Sequence, residues 1–323
     1  MSNLFERAKT GLSPERITPD LAYLRTAIAN VYFYGVPDAG DRNWVLIDAG
    51  VPGSKNVIMH AASSMFGGGA RPRAILLTHG HFDHVGALRD LAREWDAPVY
   101  AHPLELPYIT GRSSYPPPDP TVGGGAMSAL SFMYPRGPFD IGDHARALPE
   151  DGTVPGMDGW RWIATPGHSP GHVSFFREED RTLIAGDAVI TTKQESAVAV
   201  LTQKPEIHGP PMYYTCDWNA ARDSVRRIAE LTPLLLASGH GIPLFSQEMQ
   251  GDLQLLAAEF DERGRPKHGR YVVEPAVANE RGVVIVPPPV VTTERKLVYG
   301  LGAALAAGLI LRLTGRGRHR TLR

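Results

Sequence analysis

The sequence predicts an α/β protein in which short buried strands alternate with amphipathic helices and carry a chemical site at their ends. Two observations predict the alternation. Apolar runs of strand length recur along the chain, bounded by Gly, Pro or Asp. Between them apolar residues return at helical spacing, as in Val85, Leu88, Leu91 and Trp95. A third observation predicts the site: several of the runs stop against a His or an Asp.

In order, Val31 to Tyr34 and Trp44 to Ile47 read as strands, separated by a turn rich in Pro, Asp and Gly, and the second ends in Asp48. Ala74 to Leu77 reads as a buried strand that runs into Thr78-His79-Gly80-His81-Phe82-Asp83-His84, with a helix starting just after the last histidine. Pro98 to Ala101 is the next strand. Trp160 to Ile163, Val173 to Phe176 and Thr182 to Ala185 follow, the last meeting Gly186-Asp187. A helix over about Ala220 to Leu231, with Asp217 as its N-cap, precedes the strand Leu234 to Ala237, which ends at Ser238-Gly239-His240-Gly241. Leu253, Leu256, Ala257 and Phe260 mark a last amphipathic helix. The first twenty residues are polar and read as a loose lead-in.

These elements fill a catalytic domain over residues 1–294. Two stretches within it, about 103–158 and 191–214, are rich in Pro and Gly and read as inserted lid loops, with one short helix near Met127 to Tyr134. Residues 295–323 are a different unit. Leu297 to Leu311 carries no charge, Arg295 and Lys296 precede it, and five arginines follow. Gly300, Ala304 and Gly308 make a small-residue stripe. The run is predicted to be a helix in contact with a membrane; a soluble helix or a basic tail is the competing reading.

Composition excludes other classes. Hydrophobic content of 43% and charged content of 21% are those of a globular protein. A net charge of −1 provides no basic field for nucleic acid. The single Cys216 rules out an internal disulfide and fits a reducing compartment. The opening residues hold no apolar stretch of secretory type, so a cytoplasmic protein is expected. Twelve histidines, several of them clustered, point towards metal. The run His79 to His84 offers three imidazoles and a carboxylate within six residues. Such N and O donors suit zinc first, then iron or manganese. His79 and His81 can share an ion from an extended loop, leaving Asp83 and His84 to face a neighbouring position.

The run resembles the H-x-H-x-D-H signature of the metallo-β-lactamase superfamily, in its glyoxalase II-like hydrolase branch. The likeness continues through Thr165-Pro166-Gly167-His168-Ser169-Pro170-Gly171-His172, Gly186-Asp187 and Gly239-His240, in that order, over roughly Asn30 to Phe260. It implies a four-layer αββα sandwich. It also implies that His79, His81 and His168 hold one zinc, that Asp83, His84 and His240 hold a second, and that Asp187 bridges them. Asp48 would support the ligand loop, His172 would fix the loop of His168, and Tyr213 and Tyr214 would face the pocket, where lactone-cleaving members use a tyrosine.

Physically, two divalent ions a few ångströms apart need an anionic bridge, which Asp187 can supply. A water between them then ionises near neutral pH, so no Ser or Cys nucleophile is needed. Asp83 and Asp187 are accordingly the catalytic carboxylates. The resemblance implies hydrolysis of an ester-like bond in a small molecule: thioester, lactone or phosphodiester. A mononuclear-iron dioxygenase of the persulfide type, which shares Thr-Pro-Gly-His, is the alternative.

Overall fold

The computed structural model describes residues 13–290. Seven strands form the first sheet in sequence order: β1 (Glu15–Thr18), β2 (Leu21–Thr26), β3 (Ala29–Tyr34), β4 (Val45–Ile47), β5 (Ala74–Leu76), β6 (Val99–Ala101) and β7 (Ala145–Ala147). The first four pair antiparallel and β4 to β7 pair parallel. Parallel neighbours need crossover connections. Helix α1 (Lys55–Phe66) joins β4 to β5, and α2 (Leu88–Trp95) joins β5 to β6.

The second sheet has the order β11-β10-β9-β8, with β8 (Trp160–Ala164), β9 (Val173–Arg177), β10 (Thr182–Ile184) and β11 (Leu235–Ala237). Between β10 and β11 lie α3 (Ala197–Thr202) and α4 (Trp218–Glu230), and α5 (Gln247–Ala258) follows β11. As predicted, Asp217 caps α4, its carboxylate accepting from the N–H groups of Asn219 and Ala220 at 3.0 Å each. A small hairpin, β12 (Val277–Asn279) with β13 (Gly282–Ile285), closes the described chain.

Side-chain alternation along the strands sorts the core into three apolar interfaces. Phe33, Leu46, Ile75 and Val99 face Ile58, Phe66, Leu88 and Leu91 of α1 and α2. Their neighbours Tyr32, Val45, Ile47 and Leu76 face the opposite way, onto Val173, Phe175, Ile184 and Ala237 of the second sheet. Phe176, Leu183 and Leu236 meet Trp218, Val225, Leu253 and Leu256 of α4 and α5. Three interfaces make four layers, and the αββα sandwich is the observed fold.

Three elements depart from the sequence expectations. β1 begins at Glu15, inside the supposed lead-in; it is an edge strand whose Glu15 and Arg16 are exposed, so its polarity is that of an edge. Helix α1 is absent from the sequence reading although its buried face, Ile58, Ala61, Ala62, Met65 and Phe66, recurs at helical spacing. The segment 103–158 contributes β7, so its end is part of the first sheet. One compact unit runs to Pro287. Residues 291–323, with the apolar run Leu297 to Leu311, lie outside the described residues. Among the described residues no helix is long and apolar enough to cross a membrane.

Candidate metal centre

The predicted ligands converge where strands end. Asp48 follows β4, His79 to His84 follow β5, His168 lies between β8 and β9, Asp187 follows β10 and His240 follows β11. None of His79, His81, Asp83, His84, His168, Asp187 and His240 is more than 5% exposed. Among the described residues they form three groups whose ligand atoms lie within 4.8 Å of one another: His79, His81 and His168; His79, His84 and Asp187; Asp83, His84 and His240.

Hydrogen bonds on the far side of each ring decide which nitrogen faces inward. His240 Nδ1 lies 2.6 Å from the Ile28 carbonyl, which can only accept, so Nδ1 is protonated and Nε2 is the nitrogen left to face inward. Asp48 takes Nδ1 of His84 at 2.8 Å with the same result. Thr78 Oγ1 gives its proton to Asp48 at 2.8 Å and therefore accepts from His79 Nδ1 at 3.1 Å. Thr215 Oγ1 likewise donates to the Pro211 carbonyl and accepts from His168 Nδ1 at 3.3 Å. Four of the five ligand-type imidazoles are thus oriented by an outer partner, the arrangement that metal ligands require.

Inside this ring, His81 Nδ1 stands 2.9 Å from His168 Nε2. Asp187 reaches both sides. Its Oδ1 is 3.4 Å from His84 Nε2, and its Oδ2 is 3.4 Å from His168 Nε2 and 3.0 Å from His240 Nε2. Asp83 Oδ2 lies 3.6 Å from His240 Nε2. His79 Nε2, His84 Nε2 and Asp187 Oδ1 are buried without a hydrogen-bond partner. Each such group costs about 1–3 kcal/mol if left unmade, and all three point to one place. An orphaned set of imidazole and carboxylate donors fits divalent cations of the zinc type.

Electrostatics divides the centre. Burial holds His79 and His81 well below the ordinary imidazole value of 6.5 and brings His168 to about 4, so these rings stay neutral. Burial acts the same way on His84 and His240, but the Asp187 carboxylate outweighs it, helped by Asp48 at His84 and by Asp83 at His240, and both are raised. Asp187 is held well below the usual carboxylate range in spite of burial, by His240 and His84. Burial raises Asp83.

His172 is not available as a ligand. Its Nε2 accepts from the Asp187 N–H at 2.9 Å and its Nδ1 meets Thr165 Oγ1 at 2.9 Å. It therefore ties the loop of His168 to that of Asp187. Tyr214 stacks on His81 with ring centroids 4.3 Å apart and donates its hydroxyl proton to the Pro135 carbonyl at 3.2 Å. Tyr213 is 3% exposed, its phenol kept neutral by burial and by the carboxylates of Asp83 and Glu195.

Asn30, Tyr32 and Glu105 carry no sequence signal, whereas Gly239 belongs to the Gly239-His240 element already noted. Asn30 Nδ2 donates to the carbonyls of Ser238 and Gly241, and the Tyr32 hydroxyl donates to Ser238, so β3 holds the loop of His240. Gly239 is a matter of space: a Cβ there would lie 2.0 Å from Asp187 Oδ1 and 2.8 Å from His84 Cε1. Glu105 is fully buried in the first irregular segment, behind Gly80, Ser169 and Gly171.

Comparison with known proteins extends this likeness. The family model of the metallo-beta-lactamase superfamily matches residues 24–240. The chain is 50% identical over 234 residues to the probable metallo-hydrolase YflN of Bacillus subtilis, covering 72% of this chain and 88% of that one. It is 30% identical over 203 residues to the probable metallo-hydrolase YybB of the same organism, covering 63% and 78%. A beta-lactamase domain protein from Burkholderia ambifaria has the same fold, with a TM-score of 0.52 at 19% identity over 77% of this chain and 76% of that one. The matched span contains every residue of the metal centre and more than half of the sequence, and the chain belongs to the metallo-beta-lactamase superfamily.

Proposed function

We propose that the chain is a hydrolase that works with two divalent cations, zinc in the first instance and iron or manganese as ions of the same reach. His79, His81 and His168 would hold one; Asp83, His84 and His240 would hold the other; Asp187 would serve both. The carrying observation is the Asp187 carboxylate, whose two oxygens face imidazoles of both groups at 3.0–3.4 Å. When bound, the cations supply Lewis acidity and a water acidic enough to act as hydroxide near neutral pH.

The chain's own residues do the rest. Asp187 offsets the repulsion between like charges. Asp48, Thr78, Thr215 and the Ile28 carbonyl keep four ring lone pairs aimed inward. Burial keeps the thiol of Cys216 protonated, so it offers no rival nucleophile. Tyr213 has a neutral phenol that can donate to a developing oxyanion, and Tyr214 forms a flat wall over His81. The kinship with probable metallo-hydrolases supports hydrolysis, and the bond we propose is a small ester-like one: thioester, lactone or phosphodiester.

Metal analysis of the purified chain, with a panel of those three ester classes, tests the proposal. Two zinc per chain and turnover of one class are the expected result. One iron per chain with oxygen uptake on a persulfide would overturn it in favour of the dioxygenase. The run Leu297 to Leu311 belongs to the same proposal as a membrane contact of a cytoplasmic enzyme, on sequence alone. Full-length protein that stays in solution without detergent would defeat that part.

A further inference from the structure

We propose that Glu105 is a positioning residue that sets the geometry of the three-histidine group by clamping its two loops together. The inference rests on the metal reading above. Glu105 is 0% exposed and lies in the stretch Pro103-Leu104-Glu105 that follows β6. A buried carboxylate is stable only when its lone pairs are satisfied, and here four donors satisfy them. Oε1 accepts from Ser169 Oγ at 2.8 Å and from Gly171 N at 2.7 Å. Oε2 accepts from Gly80 N at 3.0 Å and from the Tyr115 hydroxyl.

The donors come from two places that matter. Gly80 sits between His79 and His81. Ser169 directly follows His168, and Gly171 precedes His172. One carboxylate therefore joins the backbone carrying two donors of the three-histidine group to the backbone carrying the third. No Lys or Arg is among its partners, so this is no ordinary buried ion pair.

The approach is close enough to require glycine on both loops. A Cβ at Gly171 would fall 2.9 Å from Glu105 Cγ, and one at Gly80 would fall 2.6 Å from the Tyr115 hydroxyl. Tyr115 completes the clamp: its hydroxyl also accepts from Gly80 N at 2.9 Å, and its ring lies 4.4 Å from that of His81. Asp83, His84 and His240 receive no hydrogen bond from Glu105. Its influence should fall on one ion.

The test measures zinc affinity by chelator competition on the full chain, in two single-site backgrounds. His84→Ala keeps the three-histidine group, and His168→Ala keeps the group of Asp83, His84 and His240. Glu105→Gln preserves size but turns an amide N–H₂ towards donors. It should weaken zinc about 10–100-fold in the His84→Ala background, the usual cost of losing an outer-shell partner, and less than about threefold in the His168→Ala background. Tyr115→Phe removes one donor and should give a smaller loss of about two- to tenfold in the first background only; it stands in should Glu105→Gln fail to fold. Equal losses in both backgrounds would mean general destabilisation and overturn the inference, as would no loss in either. Wild-type chain that binds no zinc would overturn the metal reading itself.

Discussion

The strand-end loops and the two irregular segments contribute to one centre by different means. In the loops, position comes from backbone: each ligand follows a short strand in a sheet, and four of the five rings are fixed from behind by a hydrogen bond. In the irregular segments, position comes from side chains: Glu105, Tyr115 and Tyr214 are buried anchors, while Leu130, Phe132, Met133, Val198 and Leu201 remain 48–76% exposed on the outer surface. The difference leads to the expectation that ligand placement depends on the sheets and on these anchors, while the exposed outer residues are free to vary.

The largest effect that could break this division is at Asp187. Asp187→Ala should abolish hydrolysis and weaken one ion more than the other, because it removes the anion lying between the two groups; two retained ions with near-wild-type turnover would refute the bridging role. His84→Ala should leave one ion, read by metal analysis. Next comes the first irregular segment. Replacing residues 121–135 with a short linker should change preference within the ester panel while metal content stays at two. Lost metal would show that the segment's outer part also positions ligands.

A subtler test concerns pH. His172 is lowered by burial to about 3 in the folded chain against an ordinary 6.5. A depressed folded value means that the neutral ring stabilises fully above about 6.5, and that this contribution is lost as pH falls towards 3. His172→Gln retains an acceptor for the Asp187 N–H but does not titrate. Wild type should therefore be the more stable at pH 7 by urea unfolding, and its advantage should shrink by on the order of 2 kcal/mol at pH 5. A constant gap would contradict the buried neutral ring. The smallest effect should be Phe132→Ser, within about 0.5 kcal/mol of wild type, since the side chain is 67% exposed.

The ligand side of the centre could be read from sequence because its signal is local. His79 to His84 directly follow Ala74 to Leu77, and Asp187 and His240 likewise terminate apolar runs, so residue type and strand end coincide within a few positions. Glu105 shows why the supporting side could not. Its partners on the ligand loops are 25 to 66 residues away, and a lone acid among prolines and leucines looks like any surface charge until the fold closes over it. Asn30 and Tyr32 pass for ordinary strand residues, although both hold a loop more than 200 residues distant. The edge strand β1 buries too little apolar surface to show periodicity, whereas α1 does carry helical spacing in Ile58, Ala61, Ala62, Met65 and Phe66, a signal the sequence reading passed over.

Gly239 offers a control that conventional mutagenesis of the ligands cannot. Its backbone is not in the left-handed region, so alanine meets no torsional objection there, yet the added methyl would stand 2.0 Å from Asp187 Oδ1. Gly239→Ala would push the carboxylate aside while leaving every donor group in the chain. It acts as a wedge rather than a deletion, and it separates two questions that ligand knockouts confound: whether the donors are present, and whether Asp187 stands in register with both groups.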